Sequence, residues 1–379
     1  MDPIQLFTPT FRIEETLEEI RICLEKGWTG LGFKTVELEN AWKEYTKLPH
    51  AHFLDSATSG LHLAVKLLKL QNGWQDGDEI ITTPITFVST NHAILYENLK
   101  PVFADVDEMM CLDPVSVEQR ITPNTKAVVF VGLGGNSAKL LDVVEICKRH
   151  NLKLILDAAH MTGTHVGGSH VGAESDVAVF SFQAVKNLPT ADSGMICFRD
   201  EQLAMEVRKW TWLGINKDTY TRTNEKEGSY RWYYDVENIG YKYHGNSIMA
   251  AMGLVALKYV DEDNTYRRQL AEWYDSYLSG EPKITRILMA ENCVPSRHLY
   301  QVLVDNRDEI MNYLNQKNIA PGVHYRDNTV YRMYAYANGS CPKAHLESKR
   351  IISLPLHLRL KQEDIQYISE CLVEAVHIF

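Results

Sequence analysis

Short apolar segments alternate with longer amphipathic segments between residues 50 and 200, and this alternation restricts the fold more than any other feature. The apolar runs are HFLDS, DEIITTP, PVFADVD, KAVVFVG, LKLILDA, DVAVFSF and GMICFRD, and segments of helical length such as GLHLAVKLLKL and LLDVVEICKRHN lie between them. Such alternation is typical of a mainly parallel sheet with helices on both faces. Because ligands bind these sheets beyond the carboxyl ends of the strands, polar residues at those ends are the candidate site.

The length of 379 residues allows more than one domain. The segment NSIMAAMGLVALKYVDEDNTYRRQLAEWYDSYL has apolar residues at helical spacing. We predict that this long helix leads from a large domain, residues 1–264, into a smaller C-terminal α+β domain, residues 265–379. The polar and aromatic residues 214–245 lack a clear period, and a stretch of this kind inside a compact protein is usually functional or at an interface.

The composition excludes several classes of function. A net charge of −10 argues against a nucleic-acid partner, because phosphate backbones bind basic faces. The sequence has no run of roughly 18 apolar residues that could span a membrane, and its first residues do not form a secretory signal. Seven scattered cysteines without a C-x-x-C pair indicate reduced thiols and no metal site. We therefore expect a cytoplasmic, globular protein.

Two charged residues follow neighbouring predicted strands. Asp157 ends the strand in LKLILDAAH, and a carboxylate there needs a partner, either a helix N-terminus or a protonated heterocyclic nitrogen. Lys186 follows the next strand, in SFQAVKNLPTADSGMICF, although most lysines are simply solvated. Pyridoxal phosphate (PLP) requires this pair, since the amine condenses with its aldehyde and the carboxylate keeps its pyridine nitrogen protonated.

Two further motifs suit the same cofactor. In SATSGLHLAV, a helix starts directly after a strand, and its free backbone N–H groups with the hydroxyls of Thr58 and Ser59 suit a phosphate. Simple N-capping by Ser56 or Thr58 is the alternative. Phe87, in TPITFVST, lies just past a strand end, where its ring would either cover a planar cofactor or pack in the core.

Taken together, these motifs resemble the DegT/DnrJ/EryC1/StrS family of nucleotide-sugar aminotransferases, which are PLP-dependent enzymes of fold type I. The resemblance covers nearly the whole chain, through GWTGLGFKTVELENAW, SATSGLHLAV, LILDAAH, SFQAVKNL, WYYDVENIGYKYHGNSIMAAMGL, GVHYR and SLPLHLRL. It implies a three-layer α/β fold, in which helices flank a mainly parallel central sheet, with a smaller C-terminal α+β domain. It also implies PLP as the cofactor.

The resemblance assigns a role to individual residues near the cofactor ring. Lys186 would be the catalytic lysine that binds the cofactor covalently, Asp157 would pair with the pyridine nitrogen, and Phe87 would stack on the ring. His160 lies where the family commonly has glutamine, near the 3-hydroxyl of the cofactor. Gln183 replaces a usual histidine, so the surroundings of the ring depart from the family pattern.

The resemblance also assigns residues to the phosphate and to the substrate. The cofactor phosphate would be held by Ala57, Thr58 and Ser181, and by Lys242 from the partner subunit of a homodimer. His324 and Tyr325, in GVHYR, resemble a family element near the nucleotide-sugar pocket. The phosphate loop reads SAT where SGT is usual, which is a further departure.

The function that the resemblance implies is transfer of an amino group from glutamate to a nucleotide-linked keto-sugar, a 3- or 4-keto-6-deoxyhexose. One alternative is an aminotransferase that acts on a keto-cyclitol or another carbonyl compound. The other is a non-catalytic sensor that keeps the cofactor fold. The presence of Lys186 argues against the sensor and against a related dehydratase branch in which this lysine is lost.

Overall fold

The computed structural model of the protein describes residues 3–216 and 234–379. Its strands are β1 (His50–Leu54), β2 (Glu79–Thr82), β3 (Lys100–Phe103), β4 (Thr125–Val131), β5 (Lys153–Asp157), β6 (His165–Val166), β7 (Ser169–His170), β8 (Val177–Ser181), β9 (Gly194–Phe198), β10 (Thr285–Arg286), β11 (Cys293–Val294), β12 (Tyr300–Leu303) and β13 (Ile351–Leu354). The residues 217–233 of the polar stretch at 214–245 lie outside the described residues.

The α-helices in these ranges are α1 (Ile13–Glu25), α2 (Phe33–Thr46), α3 (Ala57–Asn72), α4 (Val88–Tyr96), α5 (Pro114–Arg120), α6 (Leu140–His150), α7 (Glu201–Trp210), α8 (Ser247–Tyr277), α9 (Arg307–Gln316), α10 (Pro342–Glu347) and α11 (Gln362–Ile378). Short 3-10 segments cover Leu133–Gly135, Asn328–Val330 and Arg332–Ala337. None of the helices in the described ranges combines the length and apolar character that a membrane span requires.

A seven-stranded sheet in the order β1-β9-β8-β5-β4-β2-β3 lies at the centre of the fold. The pairs from β8 to β3 are parallel, and β9 runs antiparallel to both of its neighbours, β1 and β8. The prediction of a mainly parallel sheet is therefore confirmed. The direction of β9 is not visible in its sequence, because a buried apolar run such as GMICF reads alike in both directions.

Side chains of successive residues point to opposite faces of the sheet, and each face has its own core. In β5, Leu154 and Leu156 pack toward α2, α6 and α8, whereas Ile155 packs toward α3, α4 and α7. β8 alternates in the same way. The strands read as continuous apolar runs because both faces are covered, as expected for a parallel sheet. The result is the predicted three-layer α/β arrangement.

The C-terminal residues build a smaller α+β unit with a hydrophobic cluster of its own. Its three-stranded sheet has the order β10-β12-β13, and its cluster includes residues of α9, α11 and the second half of α8, such as Leu270 and Tyr274. Ile4, near the N-terminus, belongs to the same cluster. The predicted boundary between residues 264 and 265 falls inside α8, which runs without interruption from one core to the other, and the exact boundary stays a prediction.

Trp42 is central to the face of the sheet that α2 covers. Its side chain is fully buried, its ring centroid lies 4.9 Å from that of Phe180 and 5.1 Å from that of Phe182, and its Nε1–H donates to Cys197 Sγ at 3.3 Å. Both phenylalanines belong to the segment that leads from β8 toward Lys186. Packing on Trp42 thus supports the strand end at which the candidate site lies.

We expect Trp42→Ala to lower the free energy of unfolding by about 3–5 kcal/mol, because it leaves a large cavity in a closely packed core. Urea denaturation followed by circular dichroism measures this change. Leu346→Ala is the control, since Leu346 is 57% exposed and its truncation should change the stability by about 0.5 kcal/mol or less. Equal stabilities of the two variants would contradict this account of the core.

Candidate active site

A cavity of about 420 Å³ opens beyond the carboxyl ends of three parallel strands. β4, β5 and β8 end on Val131, Asp157 and Ser181, and all three residues line the cavity. Of the predicted site residues, the cavity brings together Ala57, Thr58, Phe87, Asp157, His160, Ser181, Lys186, His324 and Tyr325. Lys242 does not line it.

Asp157 lies on the floor of this cavity and is 4% exposed. Its Oδ2 accepts a hydrogen bond from Thr90 Oγ1 at 2.7 Å, and its Oδ1 accepts one from the Ala159 N–H at 3.1 Å. Burial raises the pKa of Asp157, although these two hydrogen bonds and the charge of Lys186 act in the opposite direction. Among the described residues no basic side chain forms an ion pair with this carboxylate. The site therefore provides a buried anion that lacks a cation.

Lys186 lies in a tight turn that follows β8. The Lys186 N–H donates to Gln183 O at 2.8 Å, and the Val185 N–H donates to Gln183 Oε1 at 3.0 Å. Burial lowers the pKa of Lys186 to about 8, and the negative charge of Asp157 opposes this shift. Near pH 8 the amine is consequently divided between its protonated form and its neutral, nucleophilic form.

The two hydrogen-bond neighbours of His160 determine the tautomer of its ring, and burial keeps the ring neutral. Its Nδ1 accepts a hydrogen bond from the Gly134 N–H at 3.3 Å, so the proton of the ring is assigned to Nε2, which lies 3.2 Å from Tyr325 Oη. Burial, together with the charge of Lys186, lowers the pKa of His160 well below its usual value. The Tyr325 hydroxyl accepts from His160 and can donate its own proton to a ligand in the cavity.

The first turn of α3 is capped by Ser56, and it leaves backbone N–H groups without an intrahelical partner. Ser56 is the N-cap, since its Oγ accepts from the Ser59 N–H at 3.1 Å, and Ser59 Oγ donates to Asp55 Oδ1 at 2.5 Å. The Ser59 hydroxyl is therefore hydrogen-bonded to Asp55, and its role at a phosphate stays a prediction. Ala57 and Thr58 precede it in the first turn and line the cavity. Their N–H groups are two of those that a helix cannot satisfy internally.

Phe87 is the N-cap residue of α4 and is 59% exposed, so it is not a core residue. Its ring centroid lies 6.2 Å from that of Tyr325, across the opening of the cavity. Ser181, which also lines the cavity, is buried, and its Oγ accepts from the Gln183 N–H at 3.4 Å. His324 donates or accepts through Nδ1 with Ser353 Oγ at 2.9 Å, and burial lowers its pKa to about 4.

Lys242 lies apart from the cavity of its own chain. It forms an antiparallel bridge with Trp212, and its Nζ lies 3.3 Å from the centroid of the Trp212 ring. Burial lowers the pKa of Lys242. Contact between this lysine and a cofactor phosphate would thus require a second subunit.

Several cavity residues were not predicted. Thr90 lies one helical turn after Phe87, a spacing that could have indicated it. His298 and Phe7 come from irregular segments without a motif, and their rings stack with centroids 5.5 Å apart. The tertiary fold, and not a local pattern, brings these two residues to the cavity.

The turn that carries Lys186 is fixed from the side of α8. Asn187 Nδ2 donates to Asn264 Oδ1 at 2.6 Å and to Ser296 O at 2.7 Å, which leaves Asn187 Oδ1 to accept from His298 Nδ1 at 3.1 Å. Burial and the charge of Lys186 lower the pKa of His298 well below its usual value. A second neutral imidazole therefore lies beside His160, with ring centroids 4.4 Å apart.

The residues that the structure describes fit pyridoxal phosphate. The buried carboxylate of Asp157 lacks a cation, the amine of Lys186 lacks an anion, and both line one cavity together with the free helix start at Ala57 and Thr58. A protonated pyridine, an aldehyde and a phosphate are the three groups that would satisfy these partners. In residues 3–216 and 234–379 no cluster of side chains could hold a metal ion.

Comparisons with known proteins agree with this geometry. A family model for the DegT/DnrJ/EryC1/StrS aminotransferases matches residues 11–373. The spore coat polysaccharide biosynthesis protein SpsC of Bacillus subtilis (strain 168) is 33% identical over 375 residues, which cover 96% of this chain and 95% of SpsC.

Two solved structures show the same fold. PseC of Helicobacter pylori, an aminotransferase involved in the biosynthesis of pseudoaminic acid, superimposes with a TM-score of 0.90 at 27% identity and covers 100% of both chains. The PLP form of Spr1654 from Streptococcus pneumoniae superimposes with a TM-score of 0.88 at 29% identity and covers 99% of both chains.

The fold and its cavity define a PLP-dependent aminotransferase. The chain belongs to the DegT/DnrJ/EryC1/StrS aminotransferase family. The predicted family, fold class, enzyme class and cofactor are confirmed, and the alternative of a non-catalytic sensor is excluded. The roles of the individual site residues stay predictions.

The pKa of Lys186 in the cofactor-free protein should be about 8, and Asp157→Asn should lower it further, because the carboxylate charge stabilises the protonated amine. The rate at which acetic anhydride labels Lys186, measured by mass spectrometry between pH 6 and pH 10 (about the range in which an amine titrates), reports this pKa. Asp192→Asn is the matched control, since Asp192 lines the same cavity but is exposed. An unchanged midpoint in Asp157→Asn would show that the two groups are not coupled.

Proposed function

We propose that the protein transfers the amino group of glutamate to a keto group of a sugar carried on a nucleoside diphosphate, a 3- or 4-keto-6-deoxyhexose, in cytoplasmic amino-sugar biosynthesis. The observation that carries this proposal is that Asp157, which is buried, and Lys186, which is partly buried, line one cavity, and that neither forms an ion pair with another described residue. The similarity to SpsC and PseC supports a sugar as the acceptor.

Each part of the cofactor has a proposed partner in the cavity. Asp157 would accept a hydrogen bond from the pyridine nitrogen, and the exposed ring of Phe87 would cover one face of the cofactor. The N–H groups of Ala57 and Thr58 and the Ser181 hydroxyl would hold the phosphate. His160 and Tyr325 form a hydrogen-bonded pair that would orient the 3-hydroxyl. When bound, the cofactor supplies an electron sink for the bond changes at the transferred amine.

Lys186 would carry the proton that moves during the reaction. A general base works best when its pKa lies near the working pH, because it is then available in its neutral form and still binds the proton well. Burial lowers the pKa of Lys186 to about 8 and so provides this balance. Its turn, fixed by Gln183 and Asn187, keeps Nζ in the cavity while the proton is taken up and returned.

The wall opposite the sheet would bind the acceptor. His298, His324 and Tyr325 come from the C-terminal part of the chain, and burial keeps both imidazoles neutral. Neutral imidazole and phenol groups can donate to or accept from sugar hydroxyls without a charge to be neutralised. The wall therefore suits a polar, uncharged ring such as that of a hexose.

One observation favours a second candidate acceptor, a keto-cyclitol. Lys186 is the single cationic side chain on the walls of the cavity in the described ranges, and a cyclitol, unlike a nucleotide-linked sugar, brings no phosphate that needs further cations. Purified enzyme offered nucleotide-linked keto-sugars and keto-cyclitols side by side, with glutamate as donor, distinguishes the two by the aminated product.

We also propose a homodimer in which the partner subunit completes the phosphate site. Lys242 lies outside the cavity of its own chain, on a segment where Ile239 is 93% exposed. Such an exposed apolar side chain is typical of a surface that another subunit covers. In this arrangement the partner's lysine would reach the cofactor phosphate.

Lys186→Ala should abolish amino transfer, with a loss of at least about 10²–10⁴ in kcat, because it removes the amine that is proposed to carry the proton. Formation of 2-oxoglutarate from glutamate measures the donor half of the reaction. Lys148→Ala is the control, since Lys148 is exposed on α6 and should retain full activity. A Lys186→Ala protein that reacted at the normal rate would refute the assignment.

Lys242→Ala should weaken binding of PLP and leave the cofactor-free fold unchanged, because it removes a positive charge from the phosphate of the neighbouring site. Equilibrium dialysis measures the affinity, and light scattering after gel filtration measures the oligomeric state. Lys209→Ala is the matched control, since Lys209 lies nearby but pairs with Glu206 and Glu237. A fully active monomer would contradict the shared site.

A further inference from the structure

The described walls of the cavity carry too little positive charge for a nucleotide-linked acceptor. Lys186 is their single cation, and the other charged lining residues, Asp157 and Asp192, are acidic. Burial lowers the pKa values of the three lining histidines, which are therefore neutral at pH 7. A diphosphate adds several negative charges to a chain whose net charge is already −10. Cations that bind it must lie outside these walls, either beside the cavity on the same chain or on a partner subunit.

Arg326 does not line the cavity but lies beside it. It directly follows Tyr325, whose ring faces Phe87 across the opening. The carbonyl oxygen of Arg326 accepts a hydrogen bond from Asn328 Nδ2 at 3.3 Å, and the same amide donates to Thr86 O at 2.8 Å, next to Phe87 in the chain. The main chain of Arg326 is thus attached to the loop that carries Phe87, and its side chain is exposed.

The charge of Arg326 is available for a ligand. No acidic side chain in the described part of the protein forms an ion pair with it, and the adjacent Asp327 is 1% exposed and accepts hydrogen bonds from Thr329 and His345. The guanidinium carbon of Arg326 lies 5.4 Å from the centroid of the Tyr331 ring. A guanidinium that rests on an aromatic ring keeps its N–H groups free for paired oxygen acceptors such as phosphate.

We propose that Arg326 binds the diphosphate of the acceptor and thereby selects nucleotide-linked keto-sugars over uncharged ones. This inference rests on the proposed function. The sugar would extend from Arg326 beside the cavity, along His324 and Tyr325, toward Lys186 on the floor. In this arrangement Arg326 contacts the acceptor and not glutamate, so the donor half of the reaction should not depend on it.

Isothermal titration calorimetry of the PLP-loaded protein with UDP, dTDP, GDP, CDP and inorganic pyrophosphate tests the proposal. The diphosphate that the unmodified protein binds should bind Arg326→Gln at least about tenfold more weakly, because a charge-assisted paired contact is lost. Arg326→Lys should be intermediate, since it keeps the charge but not the paired donors. Formation of 2-oxoglutarate from glutamate should be the same in all variants.

Arg332→Gln is the matched control, since Arg332 is an exposed arginine of the same segment and its loss changes the net charge equally. Unchanged affinity in Arg326→Gln would overturn the proposal. Equal weakening in both variants would also overturn it, because it would indicate an effect of net charge and not a direct contact between Arg326 and the diphosphate. A protein that binds no diphosphate but aminates a keto-cyclitol would refute the proposed acceptor itself. Thermal unfolding confirms that each variant is folded.

Discussion

The burial of one carboxylate that forms no ion pair with any described residue is the constraint on which the site depends. Asp157 ends β5 on the floor of the cavity, and its hydrogen bonds from Thr90 and Ala159 hold it in place without neutralising it. Such a group is costly in the absence of a ligand, since burial disfavours its charged form. A cationic heterocycle bound next to Asp157 would offset this cost, so a buried carboxylate at this position favours the binding of such a group.

Burial in the cavity also determines the protonation states of the other titratable groups. It divides the Lys186 amine between two protonation states near pH 8 and keeps His160, His298 and His324 neutral. One cause, burial in the cavity, thus accounts both for the lowered pKa of the amine and for an uncharged wall, which suits the proposed sugar. A wetter cavity would weaken both effects together, because burial is the largest cause of each shift.

Much of this arrangement could be predicted from the sequence, because it depends on local patterns. The buried apolar runs from HFLDS to DVAVFSF predicted the central sheet. Because Asp157 and Lys186 follow successive strands, both were predicted to lie at the carboxyl edge of this sheet. The antiparallel direction of β9, the hydrogen bond from Ser59 to Asp55, and the arrival of His298 and Phe7 could not be predicted in this way. They depend on contacts between residues that are remote in sequence, or on the choice between equivalent hydrogen-bond partners.

The contact between Asn187 and Asn264 has a consequence for the geometry of the active site. It attaches the lysine turn to α8, the helix that both cores share, whereas Asp157 is fixed in the central sheet. The same turn directly follows β8, which pairs with β5 in that sheet. The position of the amine relative to the carboxylate thus depends both on the sheet and on α8, and through α8 it depends on the packing of the C-terminal core, which is remote from any reacting atom.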